Sequence, residues 1–262
     1  MNDTQEFKKT ILKPIKTIEQ IVASYMVAEI IIEIRNSLIE KNKNEIKFDI
    51  PILSDKVSDR AKDLFERAFE IMKFKPSYVY LVQLGLEDMF KYNFKDSPSV
   101  TTNGAGDTSH LQKMFATRFT DLSKINLEDH TLNVLENAID SAERSGRASS
   151  MSLSIIAALF HDYGKSIEIR KAVLGEGIQR GNKAHAEVSF LYLQDLLFPK
   201  LYNTIEDSYN LSETTERLGF LVKNHHPANK EMREDLEISF VVNADHEARR
   251  KEFISLRNKR NN

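Results

Sequence analysis

Leu153-Ser154-Ile155-Ile156-Ala157-Ala158-Leu159-Phe160-His161-Asp162-Tyr163-Gly164-Lys165 is the stretch on which the reading of this chain turns. Its first eight residues form an apolar run, as expected of a helix enclosed by other helices. The run then delivers an imidazole and a carboxylate side by side and stops at a glycine. A buried helix that ends this way places two adjacent ligand types where packing alone would want none, which is a common construction of metal sites. The dipeptide by itself decides nothing, because histidines at helix ends also cap carbonyls. Its neighbours along the chain carry the decision.

Working outward, the flanking segments read as consecutive helices. Asn126 is placed to cap a helix whose first turn holds Glu128 and Asp129, with His130 next and Leu132, Val134, Leu135 and Ala138 behind it. Ser149 or Ser150 is expected to start the helix that ends in the pentapeptide. After it, Arg170 to Ala184 reads as a loop with glycines at 175, 177 and 181 and basic residues Arg170, Lys171, Arg180 and Lys183. A helix from about Lys183 to Phe198 should stop at Pro199, another from about Glu213 to His226 should stop at Pro227, and a last one beginning near Glu234 carries Asp245.

Upstream, residues 15–40 have the spacing of a long amphipathic helix, with Ile15, Ile18, Ile21, Val22, Tyr25 and Met26 on one face. A second helix is expected from Ser54 through Val57, Ala61, Leu64, Phe65, Ala68, Ile71 and Met72, ending before Pro76. Tyr78 to Phe90 is rich in strand formers yet keeps helical spacing, and is assigned helix. Between Lys95 and His110 the composition shifts to Ser, Pro, Thr, Gly and Asn, which marks a linker. The expected organisation is an N-terminal helical region over 1–100, a linker over 101–125, a helical domain over 126–250 and a basic tail over 251–262. Gly104-Ala105-Gly106-Asp107 resembles the anion-hole turn of ribokinase-like sugar kinases, but that fold needs alternating strands and helices, and the first hundred residues have helical periodicity instead.

Composition narrows the chemistry. A net charge of -2 excludes a globally basic nucleic-acid binder, so any such contact is local. The chain has no cysteine, so a metal must be held by nitrogen and oxygen ligands. No signal-like N-terminus and no membrane span is evident, and Ile30-Ile31-Ile32 is bracketed by Glu29 and Glu33. A cytoplasmic location fits these features.

Five of the seven histidines, His130, His161, His185, His225 and His226, fall at ends or first turns of these helices, joined by Asp162 and Asp245. The order His, His-Asp, His, His-His, Asp seldom arises by chance. Residues 126 to 250 resemble the HD-domain metal-dependent phosphohydrolases, whose pattern falls on His130-Thr131-Leu132-Asn133-Val134, His161-Asp162-Tyr163-Gly164-Lys165 and Asn243-Ala244-Asp245. Ala184-His185-Ala186-Glu187 and Asn224-His225-His226-Pro227 match those subfamilies that bind two metals. The resemblance implies an all-α fold, a helical bundle with its site in the centre, here with an additional N-terminal helical region.

A first ion would take His130, His161, Asp162 and Asp245, a set suited to Mn, Fe, Co, Ni or Zn. Asp162 is the natural bridge to a second ion about 3.5 to 4 Å away, completed by His185, His225 and His226. On a helix the last two would point about 100° apart, so that one ligates while the other meets substrate. Lys165 is placed to neutralise charge on a phosphate oxygen, or to favour the helix C-terminus. Arg180 and Lys183 are candidate substrate contacts on a glycine-bearing lid, and His110 and His246 read as structural or solvent-facing.

The reaction implied is hydrolysis of a phosphodiester or phosphoanhydride in a nucleotide or nucleic acid. The alternatives are a one-metal nucleotidase or phosphatase, a nuclease or relaxase component acting on DNA, and a nucleotide-sensing regulatory module. The basic tail with Phe253, Ile254 and Leu256 interleaved is available to polynucleotide phosphates, and the N-terminal helices to a protein partner or to self-association.

Overall fold

The helix that ends in the His-Asp pair sits at the centre of the described helices. The computed structural model describes residues 52–100, 122–175, 184–204 and 208–261. These lie in a compact unit spanning Ile50–Asn262. The helix expected over 15–40, the Gly104–Asp107 turn, His110, Arg180 and Lys183 fall outside the described residues. Among those described, the regular elements are helical, and the only pairing of extended backbone is an isolated bridge between Pro98 and Asn126.

In chain order the helices are α1 Asp59–Met72, α2 Pro76–Lys91, α3 Leu127–Ser145, α4 Ser152–Phe160 and α5 Ile167–Leu174. There follow α6 His185–Tyr192, a π turn over Leu193–Leu197, α7 Phe198–Thr204, α8 Ser208–Lys223, α9 Lys230–Glu234 and α10 Leu236–Asn261. Short 3-10 turns cover Phe94–Asp96 and Tyr163–Lys165. Every residue of α4 is buried, and α2, α3, α8 and α10 pack around it. An all-round apolar helix is stable where other helices cover it on every side.

Local chemistry sets the boundaries. The Asn126 side chain accepts from the Asp129 amide at 2.8 Å, so α3 begins where its cap requires, and it ends at Gly146 in the left-handed conformation with φ of 65°. The cap of α1 is Ser58, accepting from Ala61 N, and not Ser54; the chain turns once more before the helix starts. Pro76 opens α2 at its first position, where a missing N–H costs nothing. Neither Ser149 nor Ser150 caps α4. Met151 precedes it without a side-chain cap, and Ser152 Oγ instead donates back to the Ser149 carbonyl at 2.8 Å.

Two expected stops differ. Pro199 does not end its helix, because the π turn resets the hydrogen-bond register just ahead of it and α7 continues through the proline. Part of the expected Arg170–Ala184 loop is helical: Ser166 caps α5, whose Arg170 donates to the Gly164 carbonyl and whose Lys171 pairs with Glu168.

The helices upstream of the expected linker pack onto those downstream of it. Arg60 and Arg67 of α1 pair with Glu136, Asp140 and Glu143 along α3. Gly85 of α2 admits Leu159 and Phe160, since a Cβ there would lie 2.6 Å from one and 2.8 Å from the other. The 97–100 segment stitches three elements together. Ser97 O accepts from Leu127 N, Ser97 Oγ accepts from Ile167 N, and Ser99 accepts from Arg249. Among the described residues no helix is long and apolar enough to cross a membrane.

Candidate metal centre

The pentapeptide is held by what surrounds its glycine. A Cβ on Gly164 would fall onto the His185 carbonyl oxygen and within 2.7 Å of Ser189 N, so only glycine lets α6 come this close. Ser189 closes the junction, its Oγ accepting from Gly164 N at 2.7 Å and donating to the His161 carbonyl at 3.0 Å. Tyr163 packs among Phe94, Phe160 and Tyr192 and donates to the Gly85 carbonyl at 2.6 Å. The start of α6, and with it His185, is thereby brought against His161 and Asp162.

Asp162 is the point of convergence. On its Oδ2 side lie His161 Nε2 at 3.2 Å and His130 Nε2 at 3.4 Å, and Asp245 Oδ1 is 3.1 Å from His130 Nε2 and 4.0 Å from His161 Nε2. On its Oδ1 side lie His185 Nε2 at 3.2 Å and His225 Nε2 at 3.8 Å. His185 Nε2 in turn stands 3.2 Å from His225 Nε2 and 3.0 Å from His226 Nε2. All seven expected ligand candidates therefore meet. The pairing of His225 with His226 differs from the helical expectation: α8 stops at Lys223, both residues lie in the turn before Pro227, and both rings reach His185.

The tautomers are fixed by partners that can only accept. His161 Nδ1 donates to the Ala158 carbonyl at 2.8 Å, His225 Nδ1 to the Val222 carbonyl at 2.7 Å, and His130 Nδ1 to Glu252 Oε1 at 2.9 Å. In a neutral ring each arrangement leaves the Nε2 lone pair bare, and all three Nε2 atoms face Asp162. Six buried side-chain atoms among the described residues lack a hydrogen bond, and four of them are His130 Nε2, His161 Nε2, Asp162 Oδ1 and Asp245 Oδ1. Leaving such atoms bare costs about 1–3 kcal/mol each. A divalent cation would satisfy them together, so the residues present fit a metal held by nitrogen and oxygen.

Charge is distributed to match. Burial alone would raise the Asp162 carboxyl, but the charges of His161 and Lys165 and the nearness of the His130 ring outweigh it and hold Asp162 well below the usual carboxylate range. The same opposition to burial, by His130 above all and then His161 and Arg249, depresses Asp245. Burial and Arg249 work against a proton on His130, but Glu252, Asp162 and Asp245 raise it to about 10. His225 moves the other way: burial first, then His226, His161 and His185, push it well below the imidazole range. Lys165, only 8% exposed, donates from Nζ to Asp162 Oδ2 at 2.8 Å and so lies within the cluster.

Residues 127–250 match the family model described as HD domain. This stretch is an HD domain. No curated protein and no solved structure matches the chain. Members of the HD superfamily are mostly metal-dependent hydrolases, and the His/Asp cluster of this HD domain is of a kind that binds divalent metal.

Two residues at this centre escaped the sequence reading, which put them in or beside a basic tail. Arg249 and Glu252 are 3% and 4% exposed, and Arg249 approaches Asp245 Oδ1 at 3.8 Å and Asp162 Oδ2 at 3.9 Å. The signal was the stripe Ile238, Val241, Asp245, Ala248, Arg249, Glu252, which has helical spacing throughout. Beside them, Arg250 pairs with Glu247, and Lys251 donates to Asn137. His246 is exposed.

Proposed function

We propose that the chain is a metal-dependent phosphohydrolase, cleaving a phosphodiester or phosphoanhydride bond in a nucleotide or nucleic acid with water activated at a two-metal site. One observation carries this reading. The two oxygens of Asp162 face different histidine sets, Oδ2 towards His130 and His161 and Oδ1 towards His185 and His225. A carboxylate so placed can bridge two ions, the first held with His130, His161 and Asp245 and the second with His185, His225 and His226. Bound divalent ions would supply Lewis acidity and a water whose pKa is lowered to about 7, which removes the need for a side-chain nucleophile.

The chain's own residues do the rest. His226 is exposed and the His185 side chain is 16% exposed, whereas His130 and His161 are wholly enclosed, so substrate reaches the cluster from the His185 and His226 side. Lys165 holds a positive charge against Asp162 and is proposed to offset negative charge on a phosphoryl oxygen. Arg180 and Lys183, in the segment that leads into His185, are proposed phosphate contacts.

The test is metal analysis of the purified chain combined with Mn-supplemented hydrolysis of bis-p-nitrophenyl phosphate, nucleotides and single-stranded DNA. The expected result is two ions per chain and diester or anhydride turnover that Asp162→Ala abolishes. One ion with monoester turnover alone would replace this reading with the one-metal phosphatase, and nucleotide binding without turnover would replace it with the regulatory module.

A further inference from the structure

The matched segment ends at residue 250, but α10 runs on to Asn261, and its next turn comes back to the centre. Glu252 lies seven positions after Asp245 on the same face. Its Oε1 accepts from His130 Nδ1 at 2.9 Å and from Asn133 Nδ2 at 2.8 Å, and its Oε2 accepts from Arg249 Nη1 at 3.2 Å. These partners are themselves tied down. Arg249 donates to Ser99 Oγ and to the Ser99 carbonyl, each at 2.9 Å, and Asn133 Oδ1 accepts from Arg60 Nη2 at 2.6 Å. Residues of α10 and α3 thus hold Glu252 directly, and α1 and the 97–100 segment hold it through them.

A buried carboxylate is expensive unless its position is used. The imidazole of His130 turns in a broad torsional well, so packing alone does not choose which nitrogen faces Asp162. A fixed acceptor on Nδ1 does choose, and it leaves Nε2 turned towards Asp162 and Asp245.

We propose that Glu252 is a positioning residue of the metal centre, holding His130 with Nδ1 protonated and Nε2 presented to the ion while touching neither ion nor substrate itself. The inference rests on the metal-binding part of the proposed function and not on the reaction or its substrate.

The test is titration of the full-length chain with Co2+, followed by visible absorption, with Glu252→Gln and Glu252→Ala beside the wild type. His130→Ala identifies which signal belongs to the set containing His130. For that signal Glu252→Ala weakens affinity about 10–100-fold and the isosteric Glu252→Gln less, whereas the signal lost in His226→Ala keeps its affinity. With Zn2+ bound, the ring 15N shifts of His130 report ligation through Nε2 with Nδ1 protonated, and in Glu252→Ala they lose that single assignment, a change that loss of packing elsewhere would not produce. Glu252→Gln carries the comparison if Glu252→Ala fails to fold. Unchanged affinity and unchanged ring shifts in a folded variant would overturn the assignment of Glu252 alone. A wild-type chain that binds no Co2+ would overturn it together with the proposed function.

Discussion

The two halves of the histidine cluster are built differently. The inner set, His130, His161 and Asp162 with Asp245, comes from α3, the end of α4 and α10, helices that enclose one another, and its two histidines have no exposed surface. The outer set, His185, His225 and His226, comes from the first residue of α6 and from the turn after α8, and it opens to solvent at His226. Helix interiors fix side chains by packing on every side, whereas a helix start and a turn leave more to local contacts. The inner half is therefore preorganised, and the outer half is where geometry can adjust and where, under the proposed function, substrate would enter.

If that contrast is right, Asp162, the residue common to both halves, has the largest effect. Asp162→Ala removes metal from both and lowers hydrolysis by more than the roughly 100-fold that loss of an outer-shell partner can cause. Metal content by mass spectrometry and turnover with Mn check this together. Full metal content in Asp162→Ala would dissolve the comparison, since the halves would then share nothing.

Next come substitutions that separate the halves. His226→Ala is expected to lose one ion and keep the other, and His130→Ala to do the reverse, each read as one ion per chain against two in the wild type. Loss of both ions in His226→Ala would mean that the outer set supports the inner one and is not merely its neighbour.

Protonation sharpens the contrast further. His130 holds its proton to about pH 10 in the metal-free protein, because Glu252, Asp162 and Asp245 surround it, whereas burial and neighbouring histidines keep His225 neutral. A metal needs the neutral ring, so its binding expels the His130 proton at any pH below about 10 and owes none to His225. Raising pH therefore strengthens metal binding, by about tenfold per unit for one proton released, and the gain stops as pH passes about 10. Calorimetry at pH 7.5 in buffers of different ionisation enthalpy should show about one proton released with the inner ion.

Much of this centre was legible in the chain and some was not, for local reasons. Its ligand candidates stood out because side-chain chemistry is written directly in the sequence, as at His161-Asp162 and Asp245. The cap at Asn126 was equally plain, being a short-range interaction. His225 and His226 were misplaced on a helix although Pro227 disfavours helical backbone in the residue before it. Arg249 and Glu252 lie in a stretch dense in Lys and Arg, a composition that predicts solvent, and only the packing of α10 against α3 brings them to a buried histidine and two carboxylates. The clasp through Ser97 and Ser99 had no signature at all, since it is a mixture of backbone and side-chain hydrogen bonds between segments distant in sequence.

The smallest of these effects falls on the junction between the halves. Gly164 is where α6 meets the pentapeptide, and Gly164→Ala sets a methyl group against the His185 carbonyl oxygen and Ser189 N. Backbone cannot yield there as a flexible side chain could, so α6 must move away. The cost is about 1–3 kcal/mol of stability, measurable by urea unfolding. The displaced element carries His185 but neither His130 nor His161, so affinity should fall for the outer ion and hold for the inner one. Equal losses at both ions would show that α6 and α4 move as one body and that the inner half is no more rigid than the outer. A loss confined to the outer ion would place the adjustable part of the centre at the start of α6, one residue from the segment that carries Arg180 and Lys183.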